Sequence, residues 1–192
     1  MNELVVHAQR VAALLRKRKE TVAVAESSAG GLISAALLAV PGASEYFIGG
    51  TVIYTGKAWY SLRDFKQELL GGFRSATEEN ALIRARIARD RFGATWGVGE
   101  SGAAGPSGNR YGDAAGHVCL AVSGATQRAI TLQTGSSDRL GNMRAFAAAA
   151  LELLEEALSR RDQSLPGLGS SRRSRPPRVK MPATTKVTRR RS

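Results

Sequence analysis

One cysteine (Cys119) and two histidines (His7 and His117) are all the chain holds of the side chains that most often cross-link or bind soft metals. A lone thiol excludes an internal disulfide, and one Cys with two His is too few for a Cys/His zinc site. Long apolar runs are missing as well. None approaches the ~20 residues that span a bilayer. The N-terminal stretch MNELVVHAQRVAALLRKRKE interleaves charges with apolar residues where a signal peptide would carry a continuous apolar block, so it reads as an amphipathic helix. These absences point to a protein of a soluble, reducing compartment, read as cytoplasmic, with no metal site and no membrane span. Acid is scarce at one end only. From Ser159 onward eleven Lys and Arg face Asp162 alone, so ten of the twelve net positive charges belong to the last 34 residues. The body is close to neutral, and the basicity is a property of the tail.

What is present reads as a layered α/β domain. Hydrophobic residues make up 43% of the 192, enough for a packed core. Leu4, Val5, Ala8, Val11, Ala12 and Leu15 recur at helical spacing over residues 3–18. TVAVAE (21–26) is a short buried strand, AGGLISAALLAV is helical until PGAS breaks it, and GGTVIYT (49–55) is a second strand. KAWYSLRDF predicts a short helix. SATEENALIRARIARDRFG has a Ser/Thr start, early acids, late bases and a terminal Gly, the marks of a helix with both ends defined. ATWGVGESG (94–102) is a strand, followed by a glycine-rich loop from Ala103 to Gly116. HVCLAVSG and QRAITLQTG form a hairpin about Ser123–Thr126, and SDRLGNMRAFAAAALELLEEAL is a long helix capped by Ser or Asp. Helices between most strands and a late hairpin predict a mixed β-sheet covered on both faces, a three-layer α/β/α sandwich over residues 1–158. Residues 159–192 hold four of the six prolines and no apolar periodicity, and are expected to be a disordered Arg/Pro-rich tail.

Three stretches carry candidate chemistry. GVGESG (Gly97–Gly102) is a literal G-x-G-x-x-G after a strand, but AAGPSGNRYGDAAG follows it and cannot open the helix that a dinucleotide pyrophosphate needs. The glycine-rich loop, with Gly102, Gly105, Gly108, Gly112 and Gly116, is either an anion cradle built from backbone N–H groups or a plain surface loop. VAVAESSAGG places Glu26, Ser27 and Ser28 at a strand-to-helix corner. There a serine is either a nucleophile beside helix N-terminal amides or simply a helix cap. The corner is no nucleophile elbow, since Ala25 stands where glycine is required, and no P-loop, since no lysine follows Gly31. Tyr54 and Lys57 come after the next strand and could activate a serine. Asp138 and Arg139 open the last helix as a cap and a candidate phosphate clamp. His7 and His117 have no partner that the sequence identifies.

In combination these stretches resemble one family. AVAESSAGGLISAALLAVPGASEYFIGGTVIYT is similar to its A-E-S-C-T-G-G, helix, P-G-[SA]-S and G-x-x-x-Y-[ST] run; SGAAGPSG resembles its S-G-I-A-G-P-x-G loop, and GSSDR its G-D-R before the terminal helix. This is the CinA C-terminal domain family, which includes stand-alone nicotinamide mononucleotide deamidases. The likeness covers roughly residues 3–157, with the motifs in order. It implies an α/β/α domain that forms homo-oligomers and hydrolyses the carboxamide of nicotinamide mononucleotide to nicotinate mononucleotide and ammonia, without metal or cofactor. It further implies Ser27 as nucleophile, with Tyr54 and Lys57 as activating or orienting groups. Glu26, Ser28, Gly30, Gly31, Gly102, Gly105, Gly108, Asp138 and Arg139 would line the nucleotide site, with corner amides holding the oxyanion. The chain departs from the pattern at the family's lysine, whose place is taken by Trp59. Ser28, Ala29 and Ala103 replace Cys, Thr and Ile. The departure at Trp59 keeps open an alternative: a catalytically weakened member that binds a nucleotide or a protein partner, with a basic tail that contacts nucleic acid.

Overall fold

Alternation of large and small residues along the strands decides how the layers stack. In β1 (Val22–Glu26) Val22 and Val24 enter one core, while Ala23 and Ala25 enter another on the opposite face. In β3 (Trp96–Ala103) Trp96 and Val98 alternate with Gly97 and Gly99. In β4 (His117–Ser123) Val118, Leu120 and Val122 alternate with Cys119 and Ala121. Successive side chains of a strand point to opposite faces, so one face of the sheet is bulky and the other nearly flat. A computed structural model describes residues 1–61 and 74–163. The basic tail from residue 164 and the end of the KAWYSLRDF stretch lie outside the described residues.

The five strands, completed by β2 (Phe47–Val52) and β5 (Gln127–Gln133), run in the order β2-β1-β3-β4-β5. β1 pairs in parallel with β2 and β3, and the β3–β4 and β4–β5 pairs are antiparallel. The sheet is therefore mixed, as the late hairpin implied. On the bulky face lie α1 (Asn2–Arg18), α2 (Leu32–Leu38) and α5 (Arg139–Gln163), which pack on one another over the main core. On the flat face lies α4 (Glu78–Phe92) alone, presenting Ala81, Ala85 and Ala88 at helical spacing. α3 (Gly56–Ser61) follows β2, its first turn capped by the Thr55 hydroxyl, which accepts from the Ala58 N–H at 3.2 Å. Three layers result, with a core on each side of the sheet. Among the described residues, no helix is long and apolar enough to cross a membrane.

Several boundaries differ from the sequence reading, each for a local reason. α2 begins at Leu32 because Gly30 (φ 68°) and Gly31 (φ 95°) are left-handed and keep the corner out of the helix. β2 lies two to three residues earlier than 49–55. After Ile53 donates to the Glu26 carbonyl at 2.9 Å, the chain turns away and Tyr54 stands clear of the sheet. α4 has the Thr77 cap and the Gly93 stop (φ 61°) that its sequence predicts. α5 continues to Gln163, past the boundary at 158, since no helix breaker stands between Ala157 and Gln163.

Candidate functional site

β1 hands the chain to α2 on one face of the sheet, while β2 is followed by α4 on the other. Adjacent parallel strands whose connections diverge in this way open a crevice beyond their carboxyl ends, the usual ligand site of open α/β sheets. Ser27 is the first residue past β1, and Tyr54 lies just past β2. The site is thus placed by topology before any side chain is considered.

Two buried carboxylates shape the corner. Ala25 pairs with Gly99, so the next residues, Glu26 at the end of β1 and Glu100 in mid-β3, stand side by side on the same face as Val24 and Val98. Both are 0% exposed. Glu26 accepts the N–H groups of Gly31 (2.9 Å), Ile33 (3.1 Å) and Ser34 (2.9 Å) and the Ser34 hydroxyl (2.6 Å). It thereby satisfies the amides that open α2. Glu100 accepts the N–H groups of Ser27 (2.7 Å), Ser28 (3.2 Å) and Ala29 (2.9 Å), and the Ser28 hydroxyl. Burial pushes the Glu26 carboxyl above its ordinary range, with Ser34 and Ile33 opposing the shift and the Glu100 charge adding to it. Arg84 of α4, itself buried, donates to the Asn80 side chain at 2.8 Å and leans on Gly99. Burial pushes Arg84 down to about 10, and the neighbouring Glu100 charge opposes that loss.

Above the corner, Arg139 gathers three segments. Its guanidinium donates to the Gly105 carbonyl at 2.6 Å and to the Tyr54 hydroxyl at 3.2 Å, and lies 5.8 Å from the centre of the Tyr54 ring. Asn142, one turn further along α5, donates to the carbonyls of Ala104 and Ser136 at 2.8 Å each and accepts from Thr134 at 2.5 Å. The start of the glycine-rich loop is thus clamped to the first turn of α5. Met143 closes over Gly30, where a Cβ would come within 2.6 Å of its Cε. Further round the loop, Asn109, Asp113 and Arg74 form a hydrogen-bonded cluster, with the Arg74 and Arg110 guanidinia at 5.4 and 4.9 Å from the Tyr111 ring.

The predicted site residues divide into those brought together and those set apart. Ser27, 8% exposed, makes no side-chain hydrogen bond among the described residues and lies at the mouth of the crevice. Tyr54 (58% exposed), Gly105 and Arg139 form one contiguous unit. Gly30, Gly31 and Gly102 belong to the corner; a Cβ on Gly102 would come within 2.9 Å of the Ser28 hydroxyl. Gly108 lies further out, against the Asp113 carbonyl. Three residues assigned to substrate have other partners within the fold. Glu26 and Ser28 were expected to bind substrate, but Glu26 is sealed beneath α2 and the Ser28 hydroxyl is spent on Glu100. Asp138 caps α5, accepting the Leu140 N–H at 3.2 Å. The amides expected to hold an oxyanion are also occupied, since those of residues 27–29 point at Glu100. Lys57 is exposed within α3, two residues before Trp59 in the same helix. His117 is a structural residue, with ring nitrogens on the Ala76 carbonyl (2.9 Å) and the Gln133 amide (2.6 Å).

Glu100, Arg84 and Asn142 were missed by sequence reasoning. The first two carried a signal: an acid inside the apolar strand WGVGESGA, and an arginine on the alanine face of α4. Charges in such places are rarely buried unless paired.

The fold is that of a mixed-sheet α/β/α domain with a serine corner beyond the carboxyl end of β1. Residues 5–158 match the CinA C-terminal domain, and the chain belongs to that family. A CinA-like protein of Myxococcus xanthus (strain DK1622) is 40% identical over 148 residues, covering 75% of this chain and 34% of the relative. One from Desulforapulum autotrophicum is 36% identical over 154 residues, covering 78% and 36%. The chain spans about a third of the length of these relatives. Among solved structures, the competence or damage-inducible protein from Enterobacter asburiae superposes with a TM-score of 0.74 at 28% identity, covering 81% of this chain and 98% of that one. The competence/damage inducible protein CihA from Agrobacterium tumefaciens gives 0.72 at 30% identity, covering 82% and 96%.

Proposed function

We propose that this domain is a nicotinamide-nucleotide amidohydrolase that converts nicotinamide mononucleotide to nicotinate mononucleotide and ammonia through Ser27. The observation that carries the proposal is the Ser27 hydroxyl itself. At the corner the side chains of Glu26, Ser28, Ser34 and Glu100 are all engaged, while the Ser27 hydroxyl has no internal partner among the described residues. Ser27 Oγ attacks the carboxamide carbon, the C–N bond breaks, ammonia leaves carrying the serine proton, and water hydrolyses the resulting ester. Tyr54 and Lys57 are the groups to relay that proton. Because the corner amides are occupied, negative charge on the reacting oxygen falls to the Tyr54–Arg139 unit and to the loop following Gly105. The ribose phosphate is held by the same arginine and loop.

Purified protein is expected to release ammonia from nicotinamide mononucleotide, and Ser27→Ala to lower turnover by at least about a thousandfold. Equal activity in the variant overturns the serine mechanism. One observation favours a second function, a nucleotide-binding protein without turnover: no described side chain hydrogen-bonds Ser27 Oγ as a base. That alternative expects saturable nucleotide binding with no ammonia released at high protein concentration, and a measured turnover number eliminates it.

A further inference from the structure

We infer that Glu100 is a positioning residue that holds the Ser27 turn in its reactive conformation. The inference rests on the reading of Ser27 as nucleophile. An ionised carboxylate has about four acceptor sites. Here all four are taken by the turn that carries the serine: three consecutive N–H groups, of Ser27, Ser28 and Ala29, and the Ser28 hydroxyl. Among the described residues no other side chain hydrogen-bonds residue 27. Glu26, although equally buried, reaches only residues 31–34 and so secures the helix rather than the serine.

The consequences for Ser27 are geometric. Three adjacent amides directed at one point force the backbone to curl around Glu100, and this turns the Ser27 side chain away from the carboxylate and out of the internal network. Ser28 faces the opposite way, its hydroxyl wedged between Glu100 and Gly102. A carboxylate is required for this task. Glutamine offers one oxygen and sets an NH2 group against N–H donors, so it reverses half of the interactions. Glu100 touches no substrate atom and acts through the turn.

The test is Glu100→Gln in the full-length protein, assayed on nicotinamide mononucleotide at a temperature where circular dichroism shows it folded, with amide hydrogen exchange followed in parallel. Expected are a fall in kcat of about a hundredfold, the cost of misplacing a reacting group by about 1 Å, and a KM within about threefold of wild type. Exchange should accelerate at residues 27–29 while β1 stays protected. A variant with wild-type kcat overturns the inference, whether or not exchange changes. So does a fall in kcat accompanied by a proportional rise in KM. If Glu100→Gln does not fold, Glu100→Asp, which keeps the charge one methylene short, should show the same split to a lesser degree, and wild-type kcat there is equally fatal. If the wild-type protein releases no ammonia, the functional reading fails by itself. Exchange then decides the grip: selective loss of protection at 27–29 sustains it, and unchanged protection removes it.

Discussion

Glu26 is a fully buried carboxyl with four donors around it, and those two facts pull its ionisation in opposite directions. The donors favour the charged form, but burial outweighs them and the Glu100 charge adds to burial, so its pKa lies above the ordinary 4.5. A carboxyl whose folded pKa exceeds its unfolded value binds its proton more tightly in the native state. Its contribution to stability is therefore greatest below about pH 4.5 and declines as pH rises through the folded value. Measured against Glu26→Gln, which does not titrate, wild type should lose relative stability across that window in urea unfolding, and the Glu26 carboxyl should titrate by NMR above 4.5. A relative stability that rises with pH would contradict the balance described. Arg84 gives a companion expectation. Arg84→Met removes a buried cation and leaves the Asn80 carbonyl oxygen without its 2.8 Å donor, a loss of about 1–3 kcal/mol readable in the same unfolding experiment.

Helix α4 approaches the sheet so closely because β3 offers it no side chains. A Cβ on Gly97 would lie 1.9 Å from the Ala85 carbonyl oxygen, and one on Gly99 2.1 Å from that of Ala81. Gly97→Ala must push the helix away, so a loss of about 3 kcal/mol is expected in urea unfolding, at the upper end of overpacking costs. Gly93→Ala meets nothing within 4 Å and carries only the left-handed backbone penalty at φ 61°, about 1–2 kcal/mol. Equal losses at the two positions would show that steric approach is not what Gly97 serves. The same pair of glycines shows how far the sequence could be read. G-x-G-x-x-G is rejected as a dinucleotide site because no helix opens after it, and β3 does run on to Ala103. That these glycines admit a helix is a contact between residues 12 and 18 positions apart, which no local pattern encodes. Period and caps made α1, α4, α5 and the hairpin legible, and the corner and Tyr54 could be located from the order of strands. Glu100 could not, because its four bonds cross more than seventy residues and depend on the β1–β3 register. The Tyr54–Arg139 contact likewise joins residues 85 apart.

The molecule as a whole divides its charge unevenly, and that division makes a prediction the domain alone does not. Residues 164–192 carry nine Lys and Arg and no acid; without them the net charge falls from +12 to +3. Among the described residues the hydrophobic clusters end at Leu158, and ion pairs such as Arg10–Glu155 and Arg128–Glu156 lie before position 164. Truncation after Gln163 should therefore leave the melting temperature within about 2 °C of the full chain, a shift well below 1 kcal/mol for a domain of this size. Polyanion binding should respond in the opposite way. Nine cations neutralise at most nine phosphates, and each releases about 0.9 of a counterion from duplex DNA, so log K against log salt can fall with a slope no steeper than about −8. The full chain should retain a mixed-sequence duplex at 50 mM salt, lose it steeply towards 200 mM, and show no preference between sequences, since backbone contacts carry no sequence information. The truncated chain, at +3 with its positive charges interleaved among acids, should not bind under either condition. Salt-sensitive binding that survives truncation would move the nucleic-acid contact onto the folded domain. Ammonia release by the truncated protein should match that of the full chain, because every residue assigned to the Ser27 site lies within the first 143 positions.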